Sequence, residues 1–512
     1  MQTFTLLSSM PDVARTIVRV PLVNFRILME TPAAWAPTLA AAILIGAAWW
    51  HDKTDQASAI REHLTEVLAS LFGLAFLVWL FHVGRCPWDE GDWKEEWTYL
   101  TALSEAIHHR AVPYYLRTAM LGTERFFANP QTPMVPYAFL LAFVSIRSFF
   151  LLHMALVYIV GFYGAVTLKR ELELHLLPWT MFLMLFTLNG HIVAHLSVGH
   201  LPWASYYLLP WVFVSAVRTS RGDRSLRNAG TCAAALAGMI IIGGWHVFVW
   251  SFLFMVFACL VPPNRVVVLA QTSLMVALLA AVRLVPALIT FGGGTNTFAG
   301  GFPTVSGLFA ALVTESARTD LLDPWEFDTY VGYIGFLVLC LGTVPFREKR
   351  KRSINVLLLP AAALVVLSIG DIYGRTLFHL PGFVSERVSS RILIVPVLWL
   401  LIAGCVRIDS WWLRFKRSFG TSVAMLFGAW FLALQLVLRA QVWRPHAGVT
   451  LQGLPTDVVK SMPVERLYFW AFWCGVGISV AAVFALVFVF IKKTDYETDR
   501  ENRPLRIPLW QS

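Results

Sequence analysis

Residues 67–84 read Val67-Leu-Ala-Ser-Leu-Phe-Gly-Leu-Ala-Phe-Leu-Val-Trp-Leu-Phe-His-Val-Gly84 and contain no Asp, Glu, Lys or Arg. An apolar run of about 20 residues is long enough for a helix to cross the hydrocarbon core of a bilayer. The run is continuous and does not alternate between apolar and polar residues, as a strand of a membrane β-barrel would. It therefore predicts a membrane-spanning helix.

Similar runs recur along the chain of 512 residues. Hydrophobic residues make up 57% and charged residues 14% of it, with a mean hydropathy of +0.64, whereas soluble domains carry roughly 25% charged residues. This composition excludes a soluble enzyme, a disordered chain and a fibrous repeat. We expect an all-α, polytopic transmembrane bundle of about 11–13 spans, with candidates at 33–50, 67–84, 148–168, 176–190, 203–217, 228–243, 246–262, 266–287, 329–346, 354–370, 392–406, 421–440 and 467–491.

The charge pattern predicts the orientation of the bundle. The net charge of +10 comes from 41 Lys and Arg against 31 Asp and Glu. In membrane proteins such an excess of basic residues lies in the cytoplasmic loops, so it does not imply binding to nucleic acid. The basic clusters fall on one side of the predicted spans: Lys169-Arg170, Arg218 to Arg227, Arg347 to Arg352, Arg407 to Arg417, and Lys492-Lys493. The opposite, exterior side receives the long loops 85–147, 191–202, 288–328, 371–391 and 441–466.

We divide the chain into four parts. Residues 1–66 form an N-terminal segment with an interfacial helix, and 33–50 either crosses the membrane or does not. Residues 67–407 form the transmembrane core, 408–491 the C-terminal spans and 492–512 a cytoplasmic tail. No internal repeat is visible, which weakens a secondary-transporter interpretation. The six cysteines form no CxxC pair and suggest neither disulfides nor a zinc site.

The first exterior loop begins with an acidic and aromatic stretch, Cys86-Pro-Trp-Asp-Glu-Gly-Asp-Trp-Lys-Glu-Glu-Trp97. A carboxylate beside low-dielectric lipid can hold a raised pKa and act as a general base, and tryptophan faces suit sugar rings. The alternative is a solvated loop with interfacial tryptophans. The catalytic candidates are Asp92, Asp89 and Glu90, and the aromatic candidates for substrate binding are Trp88 and Trp93. Glu95, Tyr99 and Ala102 share one face of an expected amphipathic surface helix.

A second exterior segment is rich in histidine: Asn189-Gly-His-Ile-Val-Ala-His-Leu-Ser-Val-Gly-His-Leu-Pro-Trp203. We expect His191, His195 and His200 to donate hydrogen bonds to a phosphate or a sugar. His191 and His195 also have metal-ligand spacing, but no acidic residue lies nearby in sequence, so a divalent metal is the weaker alternative. A third interpretation is that small and polar residues allow these helices to pack closely.

Basic residues near the exterior ends of apolar runs are a further feature. Arg147, Arg283, Arg391 and Arg439 lie there against the positive-inside trend. Arg387 and Arg391 fall on one face if their segment is helical, and a guanidinium group suits a phosphodiester. We expect Arg387, Arg391 and Arg283 to bind a lipid phosphate, although a single arginine could instead extend to the headgroups.

Several of these motifs resemble those of the GT-C superfamily of integral membrane glycosyltransferases, and in particular its YfhO-like branch. The resemblance covers most of 67–407. It rests on Asp89-Glu90, Gly91-Asp92, the histidine segment, Gly243-Gly-Trp-His246, Glu326 with Tyr330-Val-Gly332, and Arg387 with Arg391. Val388 and Ser389 depart from the usual residues between the two arginines. The resemblance implies that an aspartate of the first exterior loop is the acid-base residue, with Asp92 preferred to Asp89, and that His246, Glu326 and Tyr330 contact substrate.

The resemblance implies a membrane glycosyltransferase that moves a sugar, with inversion, from a polyprenyl-phosphate donor to a glycan, lipid or protein acceptor of the cell envelope. The expected location is a bacterial inner membrane, with the site on the periplasmic or exterior side. No cofactor is required by this interpretation. A transporter or flippase for lipid-linked sugars is the alternative, and a scaffold without catalysis is a third hypothesis. The ionisable residues cluster at one face, which favours the enzyme.

Overall fold

The computed structural model describes most of the chain between residues 23 and 501. The described ranges are 23–54, 59–82, 92–118, 122–260, 265–290, 299–314, 322–348, 351–380, 383, 386–416, 418–447 and 458–501, with side chains up to 491 in the last range.

Helices make up nearly all of the described fold. The first half contains α1 (Trp35–Lys53), α2 (Ala59–His82), α3 (Trp93–His108), α4 (Ile146–Leu172), α5 (Leu176–Leu188), α6 (Gly190–Ser197), α7 (Leu209–Ser220), α8 (Leu226–Ile242) and α9 (Trp245–Leu260). The second half contains α10 (Val266–Leu279), α11 (Ala281–Leu288), α12 (Val305–Val313), α13 (Gly332–Thr343), α14 (Leu358–Leu367), α15 (Gly370–Arg375), α16 (Ile394–Phe415), α17 (Phe419–Trp443) and α18 (Arg466–Glu501).

Short 3-10 segments join or extend these helices. They are Pro32–Ala34, Pro136–Ala142, Leu201–Leu208, Pro324–Glu326, Arg352–Leu357, Leu377–His379, Ser389–Leu393 and Arg444–Ala447. Two strands, β1 (Tyr115–Thr118) and β2 (Gly122–Arg125), pair antiparallel between α3 and α4. The backbone of 458–460 adds to the free edge of β1, where Arg117 N donates to Val458 O at 2.9 Å.

The described residues include seven helical stretches that are long and apolar enough to cross a membrane: Pro32–Lys53, Ala59–Phe81, Ile146–Leu172, Leu176–Ser197, Ser389–Phe415, Phe419–Ala447 and Arg466–Ile491. Helices α10 and α11 pass the same test together but bend by 80°. Four shorter apolar helices, Leu226–Ile242, Trp245–Leu260, Gly332–Thr343 and Arg352–Leu367, complete the set. The prediction of an all-α membrane bundle is confirmed, with fewer full-length spans than expected.

Asn189 explains one difference from the predicted spans. Residues 191–202 were expected to form an exterior loop, but most of them belong to α6, which continues α5 after a break at Asn189. The Asn189 side chain donates to Leu185 O at 2.9 Å and accepts from Ile192 N at 3.2 Å. It therefore satisfies backbone groups at the end of one helix and the start of the next, and the histidines lie inside the bundle.

Gly243 separates α8 from α9. From the sequence, these two helices could also have been one long broken helix. The φ of +98° at Gly243 is readily adopted only by glycine, and the backbone closes a turn in which Gly244 N donates to Met239 O at 2.8 Å. This turn reverses the chain and places His246 in the first turn of α9.

The bundle has two chemically different ends. At the end that we call the basic end, Lys169 lies 2.6 Å from both Glu62 and Glu66, and Arg218 lies 2.6 Å from Glu171. The opposite end, called the loop end, carries α3, the two strands and the segments 299–314 and 322–331. Because α2 and α4 each run from one end to the other, these two groups of residues are separated by the thickness of the bundle.

Helix α1 runs between the same two ends as α2. Trp79 Nε1 donates to Ala33 O at 2.8 Å near the loop end. At the other end of α1, the buried Asp52 carboxylate accepts from Leu177 N at 2.8 Å and from Trp412 Nε1 at 3.2 Å. These contacts favour the interpretation in which 33–50 crosses. The expected interfacial helix falls mainly on residues 1–22, which lie outside the described residues.

Candidate functional site

Asp92 stands at the N-terminus of α3 and faces the loop end. Its backbone N donates to Val198 O at 2.9 Å, which ties α3 to the turn after α6. Gly199 in this turn has a φ of +99°, and a Cβ there would lie 2.5 Å from Trp93 N. Only glycine permits so close an approach at this backbone angle. The turn brings His200 Nε2 to 2.6 Å from Asp92 Oδ2, while 55% of the Asp92 side chain remains exposed.

Two more histidines continue inward from His200. His200 Nδ1 lies 2.6 Å from His195 Nδ1, and the His195 ring stacks on Trp203 with a centroid distance of 4.1 Å. The His191 ring lies 4.5 Å from that of His195. His191 and His195 are fully buried. Their expected contact with a phosphate or a sugar stays a prediction, and in the structure both rings are buried and pack on Trp203.

Arg391 forms a buried ion pair with Glu326. Arg391 Nε donates to Glu326 Oε2 at 2.6 Å and its Nη2 donates to Oε1, so the contact is bidentate. The Arg391 guanidinium also lies 5.9 Å from the centre of the Trp203 ring. Burial alone would raise the pKa of Glu326, but Arg391 outweighs it and holds that pKa below its ordinary value. The sequence did not predict that these two candidate residues would bind each other.

Arg387 and His246 lie on the more open side of this pair. The Arg387 side chain is exposed, and its backbone O accepts from Gly300 N at 2.7 Å. His246 Nδ1 lies 2.7 Å from an oxygen of Glu386, a side chain that is only 1% exposed. The segment 299–302 therefore positions 386–389 beside α9, and Arg387 is the more accessible of the two arginines.

The acidic residues of α3 have different electrostatic environments. Partial burial raises the pKa of Asp92, but His200, Arg391 and Arg387 together outweigh this effect and lower that pKa below its ordinary value. Burial raises the pKa of Glu95 and brings that of Glu96 well above its usual range, with Asp92 adding to both effects. The expectation of a raised pKa at the catalytic carboxylate is therefore wrong for Asp92, because His200 contacts it directly and two arginines lie within electrostatic reach.

Some predicted site residues lie elsewhere. The Arg283 guanidinium is buried, donates to Thr132 Oγ1 at 2.7 Å and also donates to the carbonyls of Asn129 and Thr132. Its two terminal nitrogens are thus bound by residues 129–132 rather than left open to a lipid phosphate. Trp93 is also buried, and its Nε1 donates at 3.0 Å to the carbonyls of Ser197 and His446. It therefore cannot offer a ring face to a sugar.

The four arginines near the exterior ends do not form one pocket. Arg439 donates through Nε to Asp328 Oδ2 at 2.9 Å, and Trp443 Nε1 donates to the same oxygen at 2.5 Å. Arg147 is exposed at the start of α4. Only Arg391 of the four lies within electrostatic reach of Asp92. Trp88, Asp89 and Glu90 lie outside the described residues, so their candidate roles stay predictions.

Tyr330 lies next to the Asp328 and Arg439 pair. The Arg439 guanidinium is 5.7 Å from the centre of the Tyr330 ring, and Tyr330 N donates to Asp328 Oδ1 at 3.2 Å. Burial raises the pKa of Tyr330 to about 12. Its hydroxyl therefore stays protonated at neutral pH and can donate a hydrogen bond.

Sequence reasoning missed Glu386, Asp328, Trp203 and Trp325 as members of this region. Trp325 is half-buried, and its ring meets that of His200 edge to face at 6.5 Å. The dense aromatic and acidic composition of residues 322–333 is the sequence feature that could have indicated that this segment belongs to the site. Within the described ranges, no three His, Cys, Asp or Glu side chains are arranged to hold a metal ion.

The fold and this site define a helical integral membrane protein with a carboxylate, a histidine and two arginines gathered at its loop end. No protein-family model matches the chain, and no curated protein matches it. Among solved structures, the chain is similar to the arabinofuranosyltransferase AftD from mycobacteria, determined by single-particle cryo-EM. The TM-score is 0.45 and the identity 16%, and the match covers 75% of this chain and 27% of that chain. The chain thus spans about a quarter of that neighbour's length.

Proposed function

We propose that this protein is a membrane glycosyltransferase of the GT-C type, which transfers a sugar from a polyprenyl-phosphate donor to a hydroxyl of a glycan, lipid or protein acceptor. The observation that carries the proposal is the contact of Asp92 with His200 within electrostatic reach of Arg387 and Arg391. It supplies an ionised carboxylate and cationic groups in one place. The resemblance of the sequence motifs supplies the reaction class.

Asp92 acts as the general base in the proposed reaction. Its lowered pKa keeps the carboxylate ionised at neutral pH, and its exposure leaves it accessible to a substrate hydroxyl. The hydroxyl proton passes to Asp92 as the hydroxyl oxygen attacks the anomeric carbon. Glu96 is a poor alternative because it is buried and its pKa is raised. Glu95 is partly exposed, but its pKa is also raised and it accepts a hydrogen bond from Tyr99.

The donor phosphate leaves on the side of Arg387. As the new glycosidic bond forms, the bond between the anomeric carbon and the phosphate oxygen breaks, and the electron pair stays on the phosphate. A single displacement of this kind inverts the anomeric configuration. Arg387 stabilises the developing charge. Arg387 is the more exposed of the two arginines, so we assign it the role of the main phosphate ligand. Arg391 is buried and bound bidentately by Glu326, so we assign it the role of orienting the pocket.

The test is transfer by purified protein in micelles. The donors are polyprenyl phosphates that carry radiolabelled hexoses or pentoses, and the acceptors are envelope glycan and glycolipid fractions. We expect Asp92→Asn to lower turnover at least about a hundredfold, the usual size of a lost general base. Glu95→Gln is the matched control because it removes a neighbouring carboxylate, and we expect it to retain activity within about threefold.

Two outcomes would contradict the proposal. Full activity in both Asp92→Asn and Asp89→Asn would remove the base from the first exterior loop. Movement of an intact labelled lipid-linked sugar across a vesicle bilayer, without transfer to any acceptor, would instead support the transporter or flippase. Unchanged thermal unfolding of Asp92→Asn excludes misfolding as the cause of a loss.

A further inference from the structure

The histidine row behind Asp92 has an unusual hydrogen-bond pattern. His200 contacts Asp92 through Nε2 and His195 through Nδ1, so both of its ring nitrogens are engaged. His195 is fully buried, and its Nε2 has no hydrogen-bond partner among the residues that the structure describes. One proton must lie between the two Nδ1 atoms, because two lone pairs 2.6 Å apart would repel each other.

With Asp92 ionised and His195 neutral, two arrangements place a proton there. In the first, His195 Nδ1–H donates to a neutral His200, whose Nε2–H donates to the Asp92 carboxylate. In the second, a cationic His200 donates to His195, whose own proton then lies on Nε2. The second arrangement buries an N–H donor with no acceptor among the described residues, which is costly.

We infer that His195 is a positioning residue that sets the tautomer of His200 by donating to its Nδ1. With Nδ1 of His200 occupied as an acceptor, its proton stays on Nε2 and points at Asp92 Oδ2. One carboxylate oxygen is thereby held, and the other remains to accept the substrate proton. The catalytic part of this inference rests on the proposed function, whereas the tautomer does not.

Two substitutions of His195 separate its hydrogen bond from its packing. His195→Phe keeps a ring that can stack on Trp203 but removes the donor. His195→Asn retains an amide N–H close to the place of Nδ1 and loses the stacked ring. His191→Phe is the matched control, since His191 also packs on Trp203 at 4.8 Å but makes no described hydrogen bond to His195 or His200.

The direct readout is the ¹⁵N NMR spectrum of the full chain with labelled histidine, which distinguishes protonated from unprotonated ring nitrogens. The His200 signals are assigned by their loss in His200→Gln. We expect a neutral His200 with its proton on Nε2 in the wild type, in His191→Phe and in His195→Asn, and a mixture of tautomers in His195→Phe. A wild-type His200 that is cationic or protonated on Nδ1, or one unchanged in His195→Phe, would overturn the inference.

Transfer kinetics provide the second readout. We expect His195→Phe to lower kcat about tenfold with little change in the donor KM, which corresponds to one hydrogen bond, and His195→Asn to recover most of it. An equal loss in both variants would assign His195 to packing and contradict its positioning role. If Asp92→Asn were fully active, the proposed function would fall while the NMR result still decided the tautomer.

Discussion

The ion pair between Glu326 and Arg391 offers a quantitative prediction. The two side chains are 7% and 15% exposed and share two hydrogen bonds. Glu326→Gln preserves the shape of the side chain but leaves the guanidinium charge unbalanced and places an amide N–H against it. Arg391→Met removes the guanidinium and leaves a buried carboxylate. The double variant has neither charge, so it isolates the interaction between the two residues.

The expected magnitude follows from burial. Breaking a buried pair by removing one partner costs about 3–5 kcal/mol, because the remaining charge is uncompensated. Glu326→Gln should therefore lower the free energy of unfolding by about 3 kcal/mol, and Arg391→Met by a similar amount. The double variant should lose clearly less free energy of unfolding than the sum of the losses in the two single variants, with a coupling energy of about 2–3 kcal/mol.

The effect of Glu326→Gln should also depend on pH. The pKa of Glu326 is lowered in the folded protein, so its ionised form stabilises the fold above the ordinary glutamate pKa of about 4.3. This contribution is lost as the pH falls through the lowered value. The difference in the free energy of unfolding between the wild type and Glu326→Gln should be largest at neutral pH and should decrease in acid.

The assay is denaturant unfolding in detergent micelles, followed by tryptophan fluorescence. The control pair is Asp371 and Arg375, which are more than four-fifths exposed and 3.5 Å apart, and Asp371→Asn should leave the unfolding transition unchanged. Additive losses in the double variant, or a loss in Glu326→Gln no larger than in the control, would refute the buried-pair argument.

Three further predictions test the surroundings of the site. His200→Gln should raise the pKa of Asp92, so the acid limb of kcat/KM against pH should move to higher pH; an unmoved limb would contradict the role of His200. Arg283→Met should lower the free energy of unfolding by about 3 kcal/mol, because three acceptors lose their donor. It should not change the donor KM, and the exposed Arg147→Met should change neither quantity. Gly199→Ala should lower the free energy of unfolding by at least about 2 kcal/mol more than Gly222→Ala, since both glycines have positive φ but only Gly199 has a close neighbour. Equal shifts of the unfolding temperature in the two variants would show that the steric contact with Trp93 is unimportant.

Local patterns in the sequence predicted the membrane class and much of the helix content. The shared face of Glu95 and Tyr99 indicated a helix in the first exterior loop, and the structure has one over Trp93–His108. Periodicity succeeds here because it reports which side of a helix is buried. It does not report where a buried helix is interrupted by a break or a bend. In place of the thirteen predicted spans, the described residues form seven full-length ones, shorter helices, and one pair bent by 80°.

The partners within the site could not be derived in the same way. Arg391 lies 65 residues from Glu326, Arg439 lies 111 residues from Asp328, and His246 lies 140 residues from Glu386. No periodicity links positions so far apart. A list of basic residues at exterior ends therefore suggested one phosphate pocket, whereas three of the four arginines are bound by different protein groups.

The same contacts explain why one carboxylate of α3 differs from its neighbours. Asp92, Glu95 and Glu96 lie within one turn, so their mutual repulsion raises the pKa of any of them that is not stabilised. His200 reaches only Asp92 with a direct contact, and the two arginines add their charge on the same side. Ionisation therefore concentrates on Asp92 while the two glutamates hold their protons to higher pH. Groups whose environments separate their pKa values in this way are those that acid-base chemistry uses. Because the separation depends on His200, and the tautomer of His200 depends on His195 in our proposal, the chemistry of an exposed carboxylate is set by a fully buried side chain.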